Sequence, residues 1–247
     1  MRKTVEILGV PIDSITMQQA VDITLGFLKE DINHAVYTPN SEIIMAAHRD
    51  EQLKNILKNS NMTVADGAGV VLASKILKLG LPEKVSGIDL VKNLFKVSPE
   101  NDISFFLFGS KPGVAETAGE NICSAYGNID IKGYRNGYFS EADEAEIVEQ
   151  INASGANVLL VALGAPKQEK WIDKHKSELK VKVCIGIGGS LDVFAGTVKL
   201  APEFYRKHGL EWFYRLCKEP WRYKRMLDLP RFILRILSIK LHIRKNI

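Results

Sequence analysis

Apolar runs rich in β-branched residues recur along the 247-residue chain at 4–9, 33–38, 61–65, 103–109, 128–132, 157–163 and 181–187. Most of the intervals between them place apolar residues at helical spacing, over 17–30, 69–80, 113–127, 141–155 and 166–179. A strand that is apolar at successive positions, rather than at alternate ones, buries both faces. The intervals are too long for hairpin turns and long enough for a helix that carries the chain back to the same end of a sheet. The pattern therefore predicts an α/β fold, a mainly parallel sheet with helices on both faces. In open sheets of this kind ligands lie at the carboxyl ends of the strands, so the strand-to-helix turns are the first places to look for chemistry.

After about residue 200 the pattern changes. The stretch from Ala201 has no strand-like run and reads as two or three helices punctuated by Gly209, Pro220 and Pro230, which divides the chain into a body over 1–197 and a helical appendage over 198–247. Charge divides in the same way. Residues 201–247 carry twelve Lys or Arg against four Asp or Glu, a net +8, whereas residues 1–200 carry twenty-one against twenty-five, a net −4. A basic end implies an anionic partner. In the last helix Arg231, Arg235, Ser238, His242 and Lys245 form one stripe with broad apolar flanks. Such a helix suits a membrane interface, or else docks on the body with a solvated basic edge. No uncharged apolar run is long enough to span a bilayer. Interleaved arginines and aromatics (Arg206, Arg215, Arg222, Arg225 and Arg231 with Trp212, Phe213, Tyr214, Trp221 and Tyr223) suit single-stranded nucleic acid as well as lipid, and the amphipathic helix that follows favours lipid over nucleic acid.

Other chemistries lack their residues. The three cysteines are scattered and odd in number, as expected of packing residues in a reducing cytoplasm, and the N-terminus has no apolar stretch of signal-peptide length. The five histidines form no HxxH or HExxH spacing and there is no DxD triplet, so neither a metal nor another cofactor is expected. GxGxxG and GxxxxGK[ST] are both absent, which counts against a dinucleotide oxidoreductase and a P-loop enzyme.

Several turns do carry polar groups. Asp66, in "TVADGAGVV", stands where a strand ends and a helix begins; it can cap that helix, or it can serve as a base at the sheet edge. Thr38 and Asn40 of "YTPN" present a hydroxyl and an amide at the same edge, and Asn40 can also cap the helix from Ser41. The turns of "LFGSKPG", "ALGAPKQ" and "GIGGSLD", with Gly109, Gly164 and Gly188, open helices whose free N–H groups can face a phosphate, or are plain turns. Lys167 and Gln168 fall in the first turn of the helix after Pro166. A cation there opposes the helix dipole, which an anionic ligand would explain.

Together "TPN", "ADGAGVV", "SGIDL", "FLFGSKPGVAE", "NGYF", "VALGAPKQEKW", "GIGGSLDVFAG" and "GLEWFYRLCKEPWRYKR" resemble, in order over about residues 5–230, the WecG/TagA/CpsF family of bacterial glycosyltransferases. The resemblance is nearest to its TagA-type branch. It implies a Rossmann-like body and metal-independent, inverting transfer of N-acetylmannosamine from a UDP-sugar donor to undecaprenyl-diphosphate-linked GlcNAc, a step of wall teichoic acid synthesis. It also implies a cytoplasmic protein held peripherally at the inner face of the membrane. By motif, Asp66 matches the general base. Thr38, Asn40, Lys84, Gly109, Gly164, Lys167, Gln168, Gly188 and Asp192 fall in substrate-binding motifs, and Arg215, Arg222 and Arg225 match the arginines that reach diphosphates. The chain departs from the family in two places: Lys84 and Leu200 stand where arginine and a basic residue are usual. Lysine keeps the charge and loses the bidentate fork.

On this reading Asp66, with an ordinary carboxylate pKa near ~4, takes the proton of an acceptor hydroxyl, while cations and helix N-termini meet the charge on departing UDP. UDP-N-acetylmannosaminuronic acid or UDP-glucose as donor, a non-catalytic membrane regulator, and an NAD-dependent oxidoreductase stay open at this point. Away from lipid, the apolar faces of the appendage give a route to homo-oligomers.

Overall fold

The structure, a computed structural model, describes residues 2–220 and 223–245. Its strands are β1 Thr4–Ile7, β2 Val10–Asp13, β3 His34–Tyr37, β4 Met62–Thr63, β5 Ser104–Gly109, β6 Asp130–Arg135, β7 Val158–Ala162 and β8 Val183–Gly186. The helices of the body are α1 Met17–Phe27, α2 Ser41–Arg49, α3 Glu51–Lys58, α4 Ala68–Leu77, α5 Gly87–Val97, α6 Val114–Tyr126, α7 Glu144–Ser154, α8 Lys167–His175 and α9 Ser190–Phe194. Four more follow it: α10 Glu203–Lys207, α11 Glu211–Lys218, α12 Tyr223–Met226 and α13 Asp228–Lys245.

Six strands form one sheet in the order β4-β3-β8-β7-β5-β6, with every neighbouring pair parallel. The expected α/β architecture is thus present, and its cause is visible in the side chains. Along β5, Phe105 and Leu107 enter the core on one face while Phe106 and Phe108 enter the core on the other. Leu159 and Val161 of β7 do the same against Val158 and Leu160. With a period of two and apolar residues at both phases, neither face can be left to water. The edges differ: β4 is two residues long, and β6 carries Asp130, Lys132 and Arg135 with its burial broken, as suits strands that must not recruit another chain.

The run expected as one strand over 4–9 is a strand as far as Ile7, but this strand, β1, pairs with β2 in an antiparallel hairpin outside the main sheet. The chain reverses through Leu8 and Gly9, both at positive φ (+52° and +83°), the conformation of a two-residue hairpin turn. Leu8 is a poor marker of such a turn, which is why the run read as continuous. The hairpin is tied to the sheet by Asp13, whose buried carboxylate accepts from Thr63 N–H at 2.9 Å. The fifth run lies two residues later than expected, as β6. Helices α3 and α5 fall outside the expected spans. Asp50 ends α2 and caps α3 by accepting from Leu53 N–H (3.1 Å), and Ser86 caps α5.

The last helix docks on the body. Phe232 and Ile236 of α13 are fully buried in the core that α2 and α4 share. Arg49 of α2 grips Asp228 with two parallel bonds of 2.8 and 2.6 Å, and Arg235 Nη2 lies 2.7 Å from His48 Nε2. The opposite side leaves Leu234, Leu237 and Leu241 exposed. The helix therefore has one apolar face against protein and another against solvent. If this docking is held by the buried ring, Phe232→Ala should cost it about 3–5 kcal/mol. Hydrogen exchange should then show α13 amides losing protection while those of β5 and β7 keep theirs; equal loss in both would mean that appendage and sheet unfold as one unit.

Candidate active site

A cavity of about 270 Å³ opens at the carboxyl ends of β3, β4 and β8, walled on its outer side by the appendage. Thr38, Asn40, Asp66, Lys84, Gly164, Gln168, Gly188 and Arg215 all line it, although they come from segments spread over most of the chain.

Each is held by local structure. Asp66 follows β4; its N–H donates to Pro39 O (3.2 Å), and Ala65 O accepts from Val85 N–H (2.9 Å), so the turn is laced to both neighbouring segments. The cap of α4 is Gly67, which has no side chain to serve, so Asp66 does not cap that helix. Its Oδ2 accepts instead from Gly87 N–H, the first residue of α5, at a long 3.4 Å. Thr38 Oγ1 donates to Gly186 O (3.3 Å). Asn40 does cap its helix, accepting from Ile43 N–H at 3.0 Å. Gln168 is buried, with Oε1 accepting from Gly188 N–H and Nε2 donating to the buried Glu169, both at 2.9 Å. Gly186 permits this, because a Cβ there would lie 2.8 Å from Gln168 Nε2.

Burial pushes the Asp66 carboxyl up to about 6, against the opposing pull of Lys84, the Gly87 N–H and Arg215 and with the help of Glu211. The ordinary value near 4 expected from the residue type does not hold here. At neutral pH such a group is about nine-tenths ionised and more basic than a solvated carboxylate. Lys84 Nζ lies 2.8 Å from Glu211 Oε1 of α11. Asp66, Lys84, Glu211 and Arg215 thus form one cluster, half of it from the body and half from the appendage.

Three of the expected residues sit elsewhere. Lys167 turns out of the cavity, its Nζ 4.1 Å from the centre of the Phe139 ring and donating to Gly137 O at 3.4 Å. The aromatic face meets the charge that the helix dipole opposes. Gly109 ends β5 at the neighbouring stretch of the edge, and Asp192 accepts from Ser110 Oγ there at 2.8 Å. Arg222 and the Arg225 side chain lie outside the described residues. Sequence reasoning did not single out Glu169, the partner of the lining Gln168, or Glu211, which lines the cavity itself. Glu169 follows Gln168 directly. Glu211 sits in a stretch of net positive charge, four residues before Arg215, a spacing that places both on one helix face. Among the described residues no group of three or more His, Cys, Asp or Glu could hold a metal ion, and no helix is long and apolar enough to cross a membrane.

The profile of the glycosyl transferase WecG/TagA/CpsF family matches residues 5–246. The chain belongs to that family. It is 38% identical over 212 residues to a Bacillus subtilis (strain 168) protein, covering 86% of this chain and 82% of that one. It is 36% identical over 243 residues to a protein of Staphylococcus aureus (strain MRSA252), covering 98% and 95%. Both relatives are N-acetylglucosaminyldiphosphoundecaprenol N-acetyl-beta-D-mannosaminyltransferases. A WecG/TagA/CpsF chain is a glycosyltransferase, an enzyme that moves a hexosyl unit.

The raised Asp66 value carries a stability consequence. With a folded-state pKa above the ordinary 3.8, folding takes up a proton between the two values, so stability is greatest with the acid protonated and declines as pH rises through about 6. Asp66→Asn is neutral throughout. Allowing for screening through the open cavity, it should be about 1–2 kcal/mol more stable than wild type at about pH 8, with the difference vanishing below about pH 4. Thermal melts at the two pH values test this; a variant less stable than wild type at the higher pH would contradict it.

Proposed function

We propose that this chain transfers N-acetylmannosamine from UDP-N-acetylmannosamine to undecaprenyl-diphosphate-linked GlcNAc, the linkage-unit step of wall teichoic acid synthesis, with Asp66 as general base. The observation that carries the reading is the Asp66 carboxylate, half-buried at the sheet edge, open to a cavity and faced by Lys84 and Arg215. The names of the two relatives support the sugar and the acceptor.

The chemistry is a single displacement. The acceptor hydroxyl oxygen attacks the anomeric carbon of the donor, its proton passes to an Asp66 oxygen, and the bond from the anomeric carbon to the phosphate oxygen breaks with its electron pair leaving on UDP. Attack from the face opposite UDP inverts the anomeric centre. A hydroxyl is a weak nucleophile at neutral pH, and a carboxylate of pKa about 6 is a better proton acceptor than a solvated one while remaining mostly ionised. Charge growing on UDP is opposed by Lys84, Arg215 and the N–H groups that start the helices at this edge. Thr38, Asn40 and Gln168 supply polar contacts to the sugars.

The acceptor's lipid places the reaction at a membrane surface. Leu234, Leu237 and Leu241 of α13, with Trp212 and Phe213 of α11, offer exposed apolar groups on a net-positive appendage, a pattern suited to lying on the inner, anionic leaflet.

A product assay with a short-chain lipid-diphosphate GlcNAc acceptor and a panel of UDP-sugars tests this. We expect mass spectrometry to show a gain of one N-acetylhexosamine, with UDP-N-acetylmannosamine preferred over UDP-glucose and UDP-N-acetylmannosaminuronic acid. Asp66→Asn should lower kcat by about 10²–10⁴-fold. In wild type, kcat/KM should fall as pH drops through about 6, rather than near 4. Transfer undiminished in Asp66→Asn would remove the assigned base, and truncation after Thr197 with full activity on the lipid acceptor would remove the appendage from the reaction.

A further inference from the structure

The proposed reaction uses Lys84 and Arg215 as cations for a diphosphate and leaves Glu211 without a role. Its position is unusual. Glu211 opens α11, lines the same cavity, and its Oε1 lies 2.8 Å from Lys84 Nζ, bridging 127 residues of sequence between appendage and body. It also stands near enough to Asp66 to oppose that group's ionisation. A second carboxylate next to a base that must be ionised is a cost. The ion pair returns little for it, because both side chains are about one-third exposed (29% and 35%), where pairs contribute about 0.2–1 kcal/mol.

A carboxylate in a pocket lined by Lys84, Arg206 and Arg215 has the charge of a phosphate oxygen and the same preference for an ammonium. We propose that Glu211 is the resident counter-ion of a diphosphate subsite: it holds Lys84 in the empty enzyme and is displaced when a diphosphate arrives. A diphosphate carries more negative charge than one carboxylate, so Lys84 favours the exchange. The exchange in turn unties the start of α11 from the body, coupling ligand arrival to the segment that walls the cavity. The inference rests on the reading of this site as a binder of diphosphate-bearing substrates. Nucleoside diphosphate and lipid diphosphate share the chemistry that would perform the exchange.

Equilibrium binding of inorganic pyrophosphate to the full chain at low ionic strength tests it. Removing the resident carboxylate removes a competitor, so Glu211→Gln should bind pyrophosphate about three- to fivefold more tightly than wild type, the size expected of a pair about one-third exposed. Glu211→Ala should do the same. In a Lys84→Met background the tightening should disappear. Glu203→Gln removes the same charge from an exposed site paired with Lys207 and should leave affinity unchanged. Repeating the comparison with UDP and with geranyl diphosphate identifies the source, since the ligand that occupies the subsite shows the same dependence on Glu211. Unchanged or weaker pyrophosphate binding in folded Glu211 variants would overturn the inference, as would equal tightening with Lys84 absent or from Glu203→Gln. Tightening by Glu211→Gln in a protein that transfers no sugar would keep the counter-ion and reject the proposed reaction; sugar transfer with binding indifferent to Glu211 would do the reverse.

Discussion

Two-sided burial of β3, β5, β7 and β8 is the constraint from which the rest of the molecule follows. Because each of these strands is apolar at both phases, they must lie inside the sheet with a helical layer above and below. All six strands of that sheet then point the same way, and every turn that leaves a carboxyl end arrives at one edge. The starts of α2, α4, α5, α8 and α9 gather there, each with N–H groups that have no partner within the helix and with the positive end of a dipole. A carboxylate brought to this edge would be expected to acidify. Asp66 does the opposite. Each helix end is worth about 0.3–1 kcal/mol, while the rise from 3.8 to about 6 corresponds to ~3 kcal/mol before screening, so burial outweighs the favourable field.

The appendage changes what that edge can be used for. An open sheet edge is a shallow crevice, whereas here Arg206, Glu211, Trp212, Arg215, Met226 and Leu229 supply an outer wall. The wall is anchored at its far end by the burial of Phe232 and Ile236 and by the bidentate Arg49–Asp228 pair on α2, the helix that Asn40 starts inside the cavity. The anchor and the wall are therefore joined through an element that itself enters the site.

Much of this was legible before any coordinates. Apolar runs with both phases filled predict the parallel sheet, and a motif order over most of the chain predicts the family. Turns identified by glycine and proline alone place Thr38, Asn40, Asp66, Gly164, Gln168 and Gly188 on one edge, because parallel topology leaves their strands no other end to use. What could not be read has physical causes. The reversal at Leu8 and Gly9 uses a residue with no turn preference. The orientation of Lys167 depends on Phe139, twenty-eight residues away in sequence, offering a ring for the ammonium. Residue type alone gives Asp66 the value of an ordinary carboxylate, because solvent loss is a property of what packs around a residue. Glu211 was hidden for the same reason: its partner is Lys84, a contact made only when the appendage folds back.

The pairing of Lys84 with Glu211 also gives a physical sense to a departure from the family pattern. At the position where the resemblance implies arginine, this chain has an ammonium on a flexible stem. A guanidinium bound to a carboxylate in its bidentate fork gives up two directional bonds when it changes partner, whereas an ammonium is a compact point charge with three rotatable donors. It can turn from one oxygen to another at smaller cost. Lysine at this position is therefore suited to a site in which one anion must be released as another is taken up. The lost fork, which looks like a weakness if the position only holds a diphosphate, becomes consistent with a position that has to let go.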